Sequence, residues 1–291
     1  MTEDMPAKRI AILYHGGCPD GFGGAYAAWK KFGDEAEYIP AKYNRPLPAH
    51  LEGKELYLID FCYPQDVMSA IADIAKSVTV LDHHEGARDV ATKFPGIFNA
   101  AHSGAVIAWS YFHPETPVPP LLTYVEDGDL YRFALPHSRE ILAYIDTSPF
   151  SSFEHWETLA REIEDPTERE RIISTGVLFV QYHQHIIDNG VHHAESVRFE
   201  GYECYLAGAS GEFISDIGHT LALEKPPLAL VISADASGLR VSLRSDGSVD
   251  VAALARKYGG NGHPAAAGFR IPFGSTIPWE PVESKDENPR G

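Results

Sequence analysis

The fold is decided by the stretch Val78-Thr79-Val80-Leu81-Asp82-His83-His84-Glu85-Gly86, in which an apolar, β-branched run stops at one carboxylate and two imidazoles. The run predicts a buried strand, and an open parallel sheet usually carries its site where such strands end. Successive side chains of an extended chain point to opposite sides, so Asp82 and His84 share one side and His83 takes the other. Taken alone, the three side chains fit either a metal site or ordinary loop hydrogen bonding.

Two earlier runs end in the same way. Ile10-Ala11-Ile12-Leu13-Tyr14 is followed by His15, and Leu56-Tyr57-Leu58-Ile59 is followed by Asp60. Helical patterns follow both runs, and strands that alternate with helices predict a parallel sheet. Right-handed crossovers place the carboxyl ends of such strands at one edge. We therefore expect the strand ends to bring together one group of side chains, namely His15, Asp20, Asp60, Asp82, His83 and His84.

A glycine-rich stretch over residues 16–24 follows the first run and contains Cys18 and Asp20. We interpret it as a turn before a helix over residues 25–31, which ends at Gly33. The backbone amides of such a turn can face an anion, although glycine is equally suited to tight packing there. The neighbouring ligand-type side chains of His15 and Asp20 favour a site.

Two further features lie between residues 100 and 135. Ser103 precedes an apolar helix over residues 105–112, where a serine acts as an N-cap. Residues 121–130 begin with an apolar pattern and continue into an acidic turn, Asp127-Gly128-Asp129. Solvated turn chemistry explains this turn, and either aspartate could instead complete a metal site.

The second half of the sequence predicts a long connecting helix over residues 166–189 and then an α/β region of its own. We expect hairpins over residues 197–206 and 228–244, and helices over residues 213–222 and 249–258. The small residues of 259–268 indicate a backbone that something approaches closely. The polar, proline-rich sequence that follows predicts a loose tail.

Composition limits the classes of function. The 291 residues are enough for two domains, and the net charge of −17 argues against a long polyanion, whose binding needs many lysines and arginines. Cys18, Cys62 and Cys204 show no Cys-x-x-Cys spacing, which fits a reducing cytosol. No run approaches eighteen apolar residues, and the start lacks the apolar core of a signal peptide. We expect a soluble cytoplasmic protein with no membrane partner.

Two motifs carry a resemblance to a known family. Asp82-His83-His84 and Gly259-Gly260-Asn261-Gly262-His263-Pro264-Ala265-Ala266-Ala267-Gly268 resemble the name-giving motif and the Gly-Gly-Gly-His-x-x-Ala-Ala-Gly signature of the DHH phosphoesterase superfamily with its DHH-associated C-terminal domain. The likeness covers residues 9–135 and 195–272. It implies an α/β fold with a parallel-sheet DHH domain over 1–150, a linker helix over 151–194, a smaller substrate-binding α/β domain over 195–275 and a flexible tail over 276–291. The active site would lie in the cleft between the two domains.

The resemblance also implies roles for individual residues. Two metal ions would be held by His15, Asp20, Asp60, Asp82, His83 and Asp127. His15 would bind one ion, Asp60 would bridge both, and Asp82 and His84 would act in catalysis, with His84 facing the phosphate. Substrate would be bound by His84, Ser103, Arg244, Gly260, Gly262 and His263.

The chain departs from the family in its first motif. Members usually show Asp-x-Asp there, and this chain has only Asp20. If Asp20 is the second aspartate, Cys18 replaces the first, and its thiolate either substitutes or leaves one metal weakly held. If Asp20 is the first, Phe22 replaces the second and Asp20 moves to the metal of His15. The choice of Asp127 over Asp129 is likewise open.

Carboxylates and imidazoles suit two Mn²⁺ ions, with Mg²⁺ or Co²⁺ as alternatives, and a water bridging two such ions becomes a nucleophile. The expected activity is hydrolysis of phosphodiester or phosphomonoester bonds in short nucleotides: oligoribonucleotides, dinucleotides or nucleotide bisphosphates. The alternatives are a pyrophosphatase or exopolyphosphatase, and a nucleotide-binding sensor with impaired catalysis. A preference for nucleotides predicts a stacking face, which Tyr258 or Phe269 could supply. We expect no long duplex as partner, and the long helix permits a homodimer.

Overall fold

The computed structural model describes residues 8–42, 45–211 and 213–282. These residues fall into two compact units that divide between Val180 and Gln181, inside the 27-residue helix Pro166–His192. In the described ranges, no helix combines the length and the apolar character that a membrane span requires.

A five-stranded sheet forms the centre of the first unit, and every neighbouring pair of its strands is parallel, as the sequence predicts. Its strands are β1 (Ile10–His15), β2 (Ala36–Ala41), β3 (Glu55–Ile59), β4 (Ser77–Asp82) and β5 (Gly96–Phe98), in the order β2-β1-β3-β4-β5. The sequence predicted β1, β3 and β4 but not the two edge strands. An edge strand has little apolar pattern to recognise, since only two of the six residues of β2 are buried and β5 has three residues.

Among the described residues, eight α-helices belong to this unit, the last of which continues into the second: α1 (Pro19–Phe32), α2 (Gln65–Ile74), α3 (Arg88–Ala91), α4 (Gly104–Phe112), α5 (Pro120–Asp129), α6 (Ser138–Asp146), α7 (Phe153–Glu164) and α8 (Pro166–His192). They lie on both sides of the sheet. Because strand side chains alternate, Leu13 and Leu58 enter one core while Ile12 and Ile59 enter the other. Burying each such side chain stabilises the fold by about 1.5–3 kcal/mol.

The predicted glycine-rich turn is wrong beyond Cys18, because α1 already begins at Pro19. Proline is well suited to the first helical position, and the Cys18 side chain caps the helix by accepting a hydrogen bond from the Gly21 amide. The later glycines of the stretch serve close packing instead. A Cβ on Gly24 would lie 2.3 Å from Cγ2 of Ile59 in the sheet, so α1 approaches β3 more closely than a larger residue allows.

The second unit is built on a seven-stranded sheet with the order β10-β11-β9-β8-β7-β6-β12. Its strands are β6 (Glu195–Phe199), β7 (Tyr202–Gly208), β8 (Leu228–Asp235), β9 (Gly238–Ser245), β10 (Asn261–His263), β11 (Ala266–Pro272) and β12 (Trp279–Pro281), and its shorter helices are α9 (Phe213–Glu224) and α10 (Val251–Arg256). Both predicted hairpins are present, as β6–β7 and β8–β9.

One expectation for the end of the chain is confirmed and another is corrected. The small residues of 259–268 form the hairpin β10–β11, so it is the chain itself that approaches closely: a Cβ on Gly260 would lie 2.1 Å from the carbonyl oxygen of Gly268. The predicted tail contains β12, in which Trp279 is buried and pairs with Phe199 of β6. This pairing joins residues eighty positions apart, which local sequence patterns do not reveal. Residues 283–291 of the predicted tail lie outside the described residues.

Candidate metal centre

Three overlapping groups of metal-ligating atoms meet at the carboxyl ends of β1, β3 and β4. Within each group the ligand atoms lie within 4.8 Å of one another. The groups are His15, Cys18 and Asp60; Asp60, Asp82, His83 and His84; and Asp20, His83 and Asp129. The structure therefore brings together the strand-end residues expected from the sequence, and it adds Cys18 and Asp129.

Asp60 lies at the centre of the cluster and is 2% exposed. Its Oδ2 lies 3.4 Å from Nδ1 of His15 and 3.5 Å from Sγ of Cys18, while its Oδ1 lies 3.2 Å from Nε2 of His83. Its φ of +63° is unusual outside glycine, and its amide donates to the carbonyl of Leu81 on β4. The two carboxylate oxygens thus face two different sets of ligands, as a bridging ligand requires.

Cys18 lies among the metal-ligating side chains, as expected if it replaces the first aspartate of the Asp-x-Asp motif. Sγ lies 3.2 Å from Nδ1 of His15, and it accepts a hydrogen bond from the Gly21 amide at 3.3 Å. Burial, together with the nearby Asp60 carboxylate, raises the pKa of the thiol. Phe22 is 1% exposed and stacks on Phe153 in the apolar core. The geometry is therefore that of the register in which Cys18 replaces the first aspartate and Asp20 is the second.

Asp20 is a buried carboxylate held by the first turn of α4. The amides of Gly104 and Ala105 donate to its Oδ2 at 2.7 Å and its Oδ1 at 2.9 Å. Burial raises the pKa of Asp20 well above its ordinary value, and repulsion from Asp60 and Asp129 raises it further. Two amide hydrogen bonds therefore do not offset the cost of the charge, and a cation close to Nε2 of His83, 3.7 Å from Oδ2, would do so.

Asp82 orients His84. Its Oδ1 accepts hydrogen bonds from the amides of His83 and His84 and lies 2.8 Å from Nδ1 of His84. This contact with Asp82 raises the pKa of His84, whose side chain is 42% exposed. Oδ2 of Asp82 is buried and has no hydrogen-bond partner among the residues that the structure describes. A buried carboxylate oxygen without a partner is costly, so this atom also fits a bound cation.

The structure places Asp129, and not Asp127, in the cluster. Oδ2 of Asp129 lies 3.6 Å from Nε2 of His83. The oxygens of Asp127 instead accept hydrogen bonds from the amides of Ala134 and Leu135 and from the hydroxyl of Ser138. The sequence predicted a turn here, whereas both aspartates lie in the last turn of α5. Two helical residues apart means about 200° around the axis, so their side chains point to opposite sides.

A polar network beside Asp20 escaped the sequence analysis. Glu126 is 8% exposed, accepts the Ser103 amide at 3.0 Å, and lies 3.0 Å from Nδ1 of His102 and 3.2 Å from Nη1 of Arg132. The Ser103 hydroxyl caps α4, as predicted. Glu126 precedes the acidic turn of the sequence reading, and nothing in its local pattern distinguishes it from a solvated charge. The substrate-binding role of Ser103 stays a prediction.

The substrate-binding residues expected in the second unit lie on β9 and the hairpin β10–β11. Arg244 donates to Oγ of Ser215 and to the carbonyl of Leu243, and His263 is exposed on β10. A Cβ on Gly260 or on Gly262 would collide with the neighbouring backbone of β11, and Gly262 also has a φ of +149°. Their contacts with substrate stay predictions.

The aromatic rings suggested for base stacking belong to the core of this unit. Phe269 is 5% exposed and stacks on Tyr258 at 4.5 Å, and Phe199 packs against both rings. The Tyr258 hydroxyl donates to Glu200. Phe269 is therefore part of the core, whereas Tyr258 is half-buried, and a stacking role for Tyr258 stays a prediction.

The donor set fits a pair of divalent ions. Four carboxylates, three imidazoles and one thiol converge, and three of the four carboxylates are at most 2% exposed. Such a concentration of buried negative charge is unfavourable without cations. Oxygen and nitrogen ligands suit Mn²⁺, and the thiol favours ions softer than Mg²⁺ on its side of Asp60.

Exchanging each aspartate of α5 for asparagine separates the roles of Asp127 and Asp129. Asp129→Asn should weaken Mn²⁺ binding at least about tenfold, because a ligand is lost, and should leave the metal-free protein equally or more stable, because carboxylate repulsion is relieved. Asp127→Asn should lower the free energy of unfolding by about 1–3 kcal/mol, because buried hydrogen bonds are lost, and should keep Mn²⁺ binding. Calorimetric metal titration and urea denaturation measure both quantities. The opposite pattern would return Asp127 to the metal centre.

Comparisons with known proteins agree with this architecture. The family model described as the DHHA1 domain matches residues 206–278. An uncharacterized protein of Acanthamoeba polyphaga mimivirus is 30% identical over 301 residues, which cover 94% of this chain and 70% of that protein.

Two solved structures share the fold. The pGpG-specific phosphodiesterase PggH from Vibrio cholerae has a TM-score of 0.51 at 14% identity, covering 91% of this chain and 94% of that chain. A DHH domain described as a member of the s1p family of ribosomal proteins has a TM-score of 0.58 at 12% identity, covering 90% of this chain and 82% of that one. The DHHA1 match falls on the second sheet and Asp82-His83-His84 lies at the end of β4 in the parallel sheet, so the chain belongs to the DHH phosphoesterase superfamily with a DHHA1 C-terminal domain.

Proposed function

We propose that this chain is a metal-dependent phosphoesterase that hydrolyses phosphodiester or phosphomonoester bonds of short nucleotides. The observation that carries the proposal is the position of Asp60, whose two oxygens face His15 with Cys18 on one side and His83 on the other. In this proposal His15, Cys18 and Asp60 hold one divalent ion, and Asp20, Asp60, His83 and Asp129 hold a second, with Asp82 as a further ligand beside Asp60. Two such ions together lower the pKa of water and neutralise charge on a phosphoryl group.

His84 is the group that we expect to contact the phosphate. Its imidazole is 42% exposed, and Asp82 holds Nδ1, which leaves Nε2 as the donor toward a ligand. The contact with Asp82 raises the pKa of His84 in the metal-free protein, and the protonated imidazole carries the Nε2 proton that donation requires. A fixed cationic donor stabilises the negative charge that develops on a phosphoryl oxygen during hydrolysis. Asp82 acts on the reaction by positioning His84.

The size of the substrate follows from charge. A net charge of −17 disfavours long nucleic acids, whose binding rests on many cationic contacts, and leaves short anions that metal ions can neutralise. PggH, whose fold this chain shares, acts on the dinucleotide pGpG. We therefore include linear dinucleotides among the proposed substrates, with Arg244, Gly260, Gly262 and His263 of the DHHA1 domain, together with Ser103, as the residues that bind them.

A substrate panel tests the proposal. Phosphate release and product analysis with Mn²⁺ should show hydrolysis of at least one of a diribonucleotide, pGpG, a cyclic dinucleotide and 3′,5′-bisphosphoadenosine, and a chelator should abolish it. Asp60→Asn should lower kcat more than about a hundredfold, because both ions lose a ligand. Asp34→Asn, at an exposed carboxylate on the first unit, is the matched control and should have wild-type activity. Hydrolysis that survives the chelator would contradict the proposal.

Pyrophosphate belongs in the same panel, because hydrolysis of pyrophosphate alone would identify the pyrophosphatase alternative. If Mn²⁺ is bound but no substrate of the panel is hydrolysed, the nucleotide-binding sensor is favoured. Cys18 is the feature that motivates the sensor, because a thiol stands where the family usually has a carboxylate.

Co²⁺ substitution decides whether Cys18 is a working ligand. The Co²⁺ protein should show an intense near-ultraviolet sulfur-to-cobalt charge-transfer band, because the thiol lies beside His15 and Asp60. Cys18→Ser should abolish the band, while Cys18→Asp should bind Co²⁺ without it. Cys204→Ala, which removes a thiol buried in the second unit, should keep the band. A wild-type spectrum without the band, at full Co²⁺ occupancy, would exclude thiolate ligation.

A further inference from the structure

The loop between α5 and α6, residues 130–137, has an unusual backbone. Three of its non-glycine residues have left-handed φ values, +54° at Tyr131, +47° at Phe133 and +56° at His137. Bulky side chains rarely adopt this conformation, because Cβ crowds the following carbonyl oxygen. Strained backbone of this kind persists only where its surroundings impose it, and it concentrates at functional sites.

Asp127 holds the loop in this conformation through hydrogen bonds. Its backbone carbonyl accepts the amides of Arg132 and Phe133 at 2.9 and 3.2 Å. Its carboxylate, 5% exposed, accepts the amides of Ala134 and Leu135 as well as the Ser138 hydroxyl. The hydrogen bonds outweigh the effect of burial and lower the pKa of Asp127, so the anion is the form that holds the loop. One residue therefore fixes the course of the chain on both sides of Phe133.

The loop presents an aromatic side chain to solvent. Tyr131 is 77% exposed, more than any other large apolar side chain in the described ranges. Its ring meets Phe133 edge to face at 4.9 Å, and the Arg139 guanidinium lies 4.0 Å from the centre of the Phe133 ring. Phe133 thus makes a cation–π contact with Arg139 and an edge-to-face contact with Tyr131. Tyr131 is exposed but built into a stack of defined contacts.

The backbone of Tyr131 lies close to that of Asp129 in the metal centre. Tyr131 follows Asp129 by two residues, which limits the distance between their Cα atoms to about 7 Å. The Tyr131 amide donates to the carbonyl of Gly128 at 2.9 Å, which turns the chain directly after α5. The ring of an exposed tyrosine whose Cα lies this near the Cα of Asp129 can reach the base of a nucleotide whose phosphate lies at the metals.

We propose that Tyr131 is a stacking platform for a nucleobase of the substrate, and that it makes the centre selective for nucleotides over phosphate chains without a base. This inference rests on the proposed phosphoesterase function and deepens it by naming the group that recognises the base. It also assigns a role to Asp127, which positions the loop and binds no metal.

Kinetics with a matched pair of substrates test the proposal. Tyr131→Ala should raise KM for a diribonucleotide roughly tenfold, because base–aromatic stacking is lost. It should change neither kcat nor the KM of the same dinucleotide carrying an abasic residue. Tyr131→Phe should behave as wild type, since stacking needs the ring and not the hydroxyl. An equal change with both substrates, or no change with either, would overturn the proposal.

Tyr111→Ala is the matched control. Tyr111 is a 39% exposed tyrosine near the far end of α4, seven residues and about 10 Å of helical rise from Gly104 beside Asp20. The Tyr111→Ala variant should show unchanged kcat and KM with both dinucleotides. Thermal unfolding should show that both alanine variants are folded.

A binding measurement separates the failure of this proposal from the failure of the proposed function. The fluorescence of Tyr131→Trp should be quenched by adenosine 5′-monophosphate and not by ribose 5-phosphate, with the wild-type protein and its four tryptophans as the background. Quenching without hydrolysis of any substrate would retain the platform and reject the phosphoesterase. Hydrolysis without base-dependent quenching would retain the phosphoesterase and reject the platform.

Discussion

The rest of the first unit depends on the confinement of carboxylates at one edge of its sheet. Asp20, Asp60 and Asp82 are each at most 2% exposed, and Asp129 joins them through His83. Like charges buried together oppose folding, so this arrangement is favourable only when cations share the site. Metal ions that bind this centre only in the folded state therefore raise the stability of the protein.

Close packing of α1 and α4 against the sheet makes this confinement possible. A Cβ on Gly104 would lie 2.6 Å from Cβ of Asp60 and 3.0 Å from Oδ2 of Asp20, so only glycine lets the first turn of α4 reach both aspartates. The amides of that turn then bind Asp20, as the N-terminus of a helix binds anions. Gly24 plays the corresponding part for α1 at Ile59. The glycines thus determine how near the ligands of the two metal positions can come.

The sequence was sufficient to predict the strands that share one recurring pattern, an apolar run followed by a ligand-type side chain. Apolar runs that stop at His15, Asp60 and Asp82 were sufficient to predict the parallel sheet and the meeting of their ends. The same reasoning failed at Asp127 and Asp129, because Gly128 between two acids indicates a turn while tertiary contacts keep the helix intact. It could not find Tyr131, since a left-handed backbone at an aromatic residue arises from the hydrogen bonds of Asp127 and has no local signature. Pairing of β12 with β6 was missed because it is equally non-local.

We propose that Asp60 separates two metal positions, one of which includes a thiol. Anomalous diffraction from crystals grown with Mn²⁺ tests this arrangement. Two peaks are expected about 3.5–4 Å apart on either side of Asp60, one within bonding distance of His15 and Cys18 and the other of Asp20, His83 and Asp129. A single peak that leaves Asp60 bound to one ion only, or an ion coordinated by Asp127, would contradict it.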